Sequence, residues 1–287
     1  MEFRTVLTPD ISLRGLIGRE STLLLLGSCF SDEMCSRLAA DGFDTLGNPG
    51  GTLYNPLSIL AWVRLLAGDR LFTEADLVTG PDGRFHSWMH HSSFSSTLAT
   101  EALGGMNGAL TRGRETLHRA SAVFVTLGTT RVFRLAGSGE CVANCHKHHP
   151  ATFTESRLSL DECADTLAAI RDTIHSVNTG ARIILTVSPV RHPGQGGLHA
   201  NAISKATLLL AAEHTPDTIY FPAYEALTDD LRDYRFYAAD MRHPSPVAAD
   251  YIYNLLCDTF MTDEVRTMAL ESRRQWRHAA HRPIGRR

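Results

Sequence analysis

Five short apolar runs, at 22–26, 43–46, 122–127, 182–187 and 218–221, constrain this chain most, each closed by glycine, proline or polar residues. Runs of four to six such residues read as buried strands. Between them lie amphipathic helical segments at 32–41, 56–67, 98–119, 160–177 and 199–214, and a further one follows at 247–260. Strands that alternate with helices pair in parallel, because each helix carries the chain back across one face of the sheet. The expectation is a doubly wound, three-layer α/β/α sandwich around a mostly parallel five-stranded sheet. Ser159 and Glu162 form a capping box ahead of the fourth helical segment, and Ser31 stands where it can cap the first. Residues 131–135, a Gly137-Ser138-Gly139 turn and residues 140–143 read as a β-hairpin inserted after the third strand.

At 287 residues the chain suits one such domain, with a core over about 3–260 and a helical or basic tail over 262–287. The tail gathers Arg273, Arg274, Arg277, Arg282, Arg286 and Arg287 and is read as solvated. With 28 basic against 31 acidic residues, the chain has no overall field that would recruit nucleic acid or an anionic membrane. A small-molecule or glycan substrate fits better. Residues 1–20 lack the continuous apolar core of an export signal, and no apolar run reaches the roughly 20 residues a bilayer span needs. The expected location is cytoplasmic, with Cys29, Cys35, Cys141, Cys145, Cys163 and Cys257 as reduced thiols at scattered spacings.

The polar clusters each follow the carboxyl end of a proposed strand, where open α/β sheets bind ligands. Gly27-Ser28-Cys29-Phe30 follows the first; Asn48-Pro49-Gly50-Gly51 and Tyr54-Asn55 follow the second. Gly128-Thr129 follows the third, Ser188-Pro189-Val190-Arg191-His192 the fourth, and Asp240-Met241-Arg242-His243 the fifth. Ser28 and Cys29 are both candidate nucleophiles just before a helix, whose N-terminus would lower a thiol's pKa and help hold an oxyanion. Asp240 is spaced to orient His243 as a general base.

These residues resemble the GSCFA family. Gly27-Ser28-Cys29-Phe30 is similar to its name-giving motif, and the similarity continues through Leu53-Tyr54-Asn55-Pro56, Thr126-Leu127-Gly128-Thr129, Asn144-Cys145-His146-Lys147 and Ser188-Pro189-Val190-Arg191-His192. Further on it takes in Phe221-Pro222-Ala223-Tyr224-Glu225, Asp233-Tyr234-Arg235-Phe236-Tyr237 and His243-Pro244-Ser245. The family is similar to SGNH hydrolases, which implies a flavodoxin-like sheet and an esterase or acyltransferase without a cofactor. The resemblance puts Cys29 at the nucleophile position, Gly51 at an oxyanion position and Asp240 with His243 as the orienting acid and base. It also places Asn48, Asn55, Gly128, Arg191 and His192 around the substrate, with Asn144, His146 and Lys147 lining the cleft. The chain departs from the superfamily's Gly-x-Asn at Gly128-Thr129-Thr130, and Thr129 or Asn144 is a substitute donor.

Two rival readings stand beside acyl transfer. One is a catalytically silent binding module on the same fold. The other is a metal-dependent hydrolase built on Cys141, Cys145, His146, His148 and His149, whose thiolates and imidazoles suit zinc; it is the minority reading, because the cluster lacks a second cysteine pair, and the preferred site holds no metal.

Overall fold

Leu23, Leu24, Leu25 and Leu26 alternate between the two faces of an extended strand, and both faces are buried. The computed structural model, which describes residues 5–280 and the last five of them by backbone alone, is centred on that strand. β1 (Thr22–Gly27) pairs in parallel with β2 (Asp44–Gly47) on one side and with β3 (Ala122–Leu127) on the other. β4 (Arg182–Val187) and β5 (Ile219–Tyr220) extend the sheet beyond β3, giving the order 2-1-3-4-5 with every pairing parallel. In this doubly wound order the winding reverses between β1 and β3, and the crevice there is the usual ligand site.

Helices cover both faces. α2 (Pro56–Ala67), α3 (Ala99–Arg119), α4 (Leu160–Val177) and α5 (Gly197–Glu213) bring Trp62, Leu110, Ile170 and Leu208 against Leu24, Leu26, Val125 and Leu185. On the opposite face α1 (Cys29–Ala40) and α6 (Pro246–Phe260) bring Met34, Leu38, Ile252 and Phe260 against Leu23, Leu25 and Phe124. Each fully buried leucine contributes about 1.5–3 kcal/mol, so the two layers of side chains hold the sheet in register.

The expected strands and helices are present, with shifts at their ends. The second strand begins at Asp44, one residue later than expected, because Phe43 turns into the core beside α1. α1 begins at Cys29, three residues early. Its N-cap is Ser28, not Ser31: Ser31 lies inside the helix, buried, its Oγ 3.1 Å from the Leu26 carbonyl and 2.8 Å from Thr126 Oγ1. The Ser159–Glu162 capping box is present on α4. The hairpin pairs Arg131–Leu135 with Cys141–Val142, and a third strand, Phe153–Arg157, joins its other side. That strand is mostly exposed and polar, which hid it from a search for apolar runs.

The reading of residues 262–287 as a solvated tail is corrected over the part described. Asp263–Ala280 is a helix, α7, whose Ala269 packs into the core. Arg273 donates from Nε and Nη2 to the Asp41 carboxylate at 2.5 and 2.6 Å, and Tyr253 donates to the same buried group at 2.7 Å. Arg282, Arg286 and Arg287 lie outside the described residues.

Candidate active site

Gly27 ends β1 with φ +130°, a conformation that favours glycine, and a Cβ there would lie 2.1 Å from the Thr126 carbonyl oxygen. Its N–H donates to Asn48 Oδ1 at 2.8 Å, and the next amide, Ser28, donates to Thr126 O at 3.1 Å. The turn is thereby pinned between β2 and β3. Ser28 is fully buried, donates to Ser188 Oγ at 2.9 Å and accepts from the Phe30 amide at 3.4 Å. Cys29, half-buried, is the first residue of α1.

The expectation of a lowered Cys29 pKa is overturned. Burial, and next the Asp32 carboxylate, push the thiol up; the amides of Cys29 and Phe30 and the Lys205 ammonium pull it down by less. Cys29 rests as a thiol. Asp32, one helical turn on, is half-buried; it accepts from Asn48 Nδ2 at 2.9 Å and Thr52 Oγ1 at 3.3 Å. Burial raises its own pKa.

Around this turn the loops interlock through groups the sequence reading assigned to substrate. Asn48 ties Gly27 to Asp32 with the two ends of its amide. The Gly51 N–H donates to the Asn48 carbonyl at 2.8 Å, and Gly51, at φ +102°, lies against His91, where a Cβ would come within 2.2 Å of His91 Cβ. The Tyr54 carbonyl accepts from both Gly128 and Thr129 amides, at 3.0 and 2.8 Å. Asn55 caps α2 by accepting from Ser58 N at 2.9 Å. Thr129 Oγ1 lies 3.2 Å from Ser204 Oγ and accepts from the Arg131 amide.

His192 lies edge-on to Tyr54, with ring centroids 5.2 Å apart, and its amide donates to Asn201. Burial, and after it the influence of Lys205, His243 and Arg242, hold its pKa down to about 3, so the ring is neutral, with Nε2 buried and without a partner among the described residues. Arg191 donates from its amide to the Arg242 carbonyl at 3.0 Å and stacks its guanidinium 3.9 Å over Tyr237, which fastens the loop after β4 to the loop carrying His243.

In that second loop Asp240 Oδ1 accepts from the amides of Arg242 and His243, at 2.9 and 3.0 Å, while Oδ2 lies 2.5 Å from His243 Nδ1. These donors, the Arg242 amide first, keep the Asp240 pKa well below the usual carboxylate range. An ionised Asp240 makes Nδ1 the protonated nitrogen of neutral His243 and leaves Nε2 as the acceptor. Both side chains are about half exposed. Among the described residues neither Ser28 nor Cys29 hydrogen-bonds His243.

Asn144, His146 and Lys147 gather against the segment between α2 and α3, whose His91 lies against Gly51. Asn144 donates from its amide to the Trp88 carbonyl at 3.1 Å and accepts from the His146 amide at 2.9 Å. His146 Nε2 lies 2.8 Å from the Ser87 carbonyl, its ring 4.4 Å from His86, and Lys147 is exposed. Among the described residues no three histidine, cysteine or acidic side chains are grouped to hold a metal ion, so the cluster from Cys141 to His149 supplies no donor set there. No helix among them is long and apolar enough to cross a membrane. Asp32 and Lys205 were missed. Asp32 was legible as the residue one turn beyond Cys29 on the same face of a helix, whereas Lys205 carries no signal within an ordinary amphipathic segment.

The sheet order, with a helix-starting cysteine at the switch point and a carboxylate-oriented histidine in the loop after β5, defines a doubly wound α/β protein with its polar site at the carboxyl edge. A family model matches residues 22–255, and the chain belongs to the GSCFA family. No curated protein matches the chain.

Proposed function

We propose that this protein is an esterase or acyltransferase of the SGNH-like type, with Cys29 as nucleophile and His243 as base. The observation that carries the reading is the Asp240–His243 pair, which leaves Nε2 as the acceptor of the neutral ring. His243 Nε2 takes the Cys29 proton while Sγ attacks the acyl carbonyl carbon and the C–S bond forms. The amide of Cys29, at the start of α1, is the donor for the resulting oxyanion, since the amides of Gly51, Gly128 and Thr129 are already engaged. As the carbonyl re-forms, the ester C–O bond breaks and His243 returns the proton to the leaving alcohol. Water or a second hydroxyl, deprotonated by the same imidazole, then attacks the thioester and regenerates the thiol. Nucleophile–base contacts of this kind are often formed only when substrate is bound, so the lack of a Cys29–His243 hydrogen bond among the described residues is compatible with this pairing.

Cys29 is favoured over Ser28 because Ser28 is enclosed and holds both Ser188 and the helix cap. The test is turnover of a panel of aryl esters and acyl thioesters by wild type, Cys29→Ala, Ser28→Ala, His243→Ala and Asp240→Asn. Loss of base catalysis in His243→Ala is about 10²–10⁴-fold, abolition is expected in Cys29→Ala, and a smaller loss in Asp240→Asn. Wild-type turnover that survives in a folded His243→Ala variant removes the mechanism. Binding of an ester without turnover by wild type favours the binding-module reading.

A further inference from the structure

Beside the loop that carries His243 lies a hollow of about 190 Å³, and the mechanism above uses none of its side chains. It is walled by Arg191 from the loop after β4, by Leu198 and Asn201 from the first two turns of α5, by Tyr224 and Thr228 from the short helical segment after β5, and by Tyr237. Pockets that enclose a whole drug-sized ligand run to roughly 300–1,000 Å³, so this one suits a single small group of a larger molecule. Its walls are fastened to the loop of the base. Tyr237 forms a β-bridge with Pro244, the Ala238 amide donates to the His243 carbonyl at 2.8 Å, and the Arg191 amide donates to the Arg242 carbonyl.

The polar chemistry of these walls is one-sided. Asn201 is only 8% exposed, and its Oδ1 accepts from the His192 amide at 2.8 Å, which fixes the carboxamide with the Nδ2 donor as its remaining end. Nδ2 has no hydrogen-bond partner among the described residues and keeps contact with solvent, so the donor is presented to the hollow. Arg191 spreads its guanidinium over Tyr237 and reaches the Met241 carbonyl at 3.4 Å, and it makes no ion pair among the described residues. The Thr228 hydroxyl is already spent on the Tyr224 carbonyl at 3.0 Å. Among the described residues no carboxylate lines the hollow: Glu225 accepts from the Tyr220 hydroxyl, Asp233 pairs with Arg235, and Asp229 lines a different cavity. The start of α5 adds the positive end of a helix dipole.

Resting on the acyl-transfer reading, we propose that this hollow is a substrate subsite for a small oxyanion, a carboxylate or phosphate carried by the acyl donor or acceptor, held by the Arg191 guanidinium and Asn201 Nδ2. A guanidinium and an amide donor with no opposing acid are satisfied by acceptor-only oxygens, which an alkyl or cationic group does not supply.

The test is an NMR titration of the full ¹⁵N-labelled chain at constant ionic strength with sodium acetate, inorganic phosphate and acetamide, which matches acetate in shape without its charge. Acetate or phosphate is expected to move the Asn201 side-chain NH₂ signal along a saturating curve, and acetamide is not. Saturation by acetate alone assigns the group to carboxylates, and by phosphate alone to phosphate esters; either supports the subsite. Asn201→Asp keeps an oxygen for the His192 amide and sets a like charge in the hollow. It should weaken anion binding about tenfold or more, read on the amides of Arg191 and His192, as should Arg191→Gln. The subsite is overturned by no saturable shift with either anion, by acetamide binding as well as they do, or by unchanged binding in Asn201→Asp. The titration needs no ester, so anion binding without turnover overturns the acyl-transfer reading alone, and turnover without anion binding overturns the subsite alone.

Discussion

Adjacent residues at the nucleophile turn divide the work. Ser28 points inward to Ser188 and to the helix cap, while Cys29 keeps part of its thiol accessible. Ser28→Ala therefore costs about 1 kcal/mol of stability, as loss of a helix cap does, and leaves Cys29 labelling intact. In a limiting alkylation Cys29 is modified before Cys163 and Cys257, whose buried thiols are pushed up to about 12. The order rests on access and not on a lowered pKa, since burial raises Cys29 as well. Mass mapping of the labelled peptides checks it, and modification of Cys163 or Cys257 first would contradict the described burial.

At the scale of the elements, the strand–helix alternation was readable because apolar residues in β1, β3 and β4 fill both faces. What periodicity does not carry is where a helix begins or what an arginine meets. α7 docks through Arg273, whose partner Asp41 lies more than two hundred residues earlier and is almost wholly buried. Removing one member of a buried pair leaves the other uncompensated, so Arg273→Ala is expected to destabilise the chain by on the order of 3 kcal/mol. Urea unfolding measures it. A change below about 0.5 kcal/mol, the usual range for a surface substitution, would return α7 to the status of a solvated tail.

For the molecule as a whole, His90 shapes the acid side of the stability curve. It is enclosed by Trp62, Phe72 and Phe94, neither ring nitrogen has a partner among the described residues, and burial first, then His146, holds its pKa down to about 3. In the unfolded chain a histidine titrates near 6.5. Between those values the unfolded state binds more protons, so stability is lost as pH falls from about 6.5 to about 3. His90→Leu removes this loss: relative to wild type it gains with acidification, by on the order of 4 kcal/mol at the acid end. Near pH 7 the two differ by about 1 kcal/mol or less, since leucine leaves no buried nitrogen unpaired. Thermal melts across pH 4–8 read the divergence of the two curves on acidification, and parallel curves would show that His90 is not held neutral.

From the residues alone came the three-layer sandwich, the family resemblance, and the position of Cys29, Gly51, Gly128, His192 and the Asp240–His243 pair in the segments that follow strand ends. These are local properties: side-chain periodicity decides strand or helix, and a carboxylate three residues from a histidine can bond it within one loop. The tertiary structure decided how the polar groups are used. Asn48, Asn55 and Thr129 hold neighbouring backbone and side chains, Asn144 lies with the Trp88 loop, and Lys205 joins two strands beneath the turn. An amide or ammonium serves substrate or fold according to which partners lie within about 3 Å of it; Asn55 finds its partner three residues on, but Asn48, Thr129 and Lys205 find theirs 21, 75 and 77 residues away along the chain.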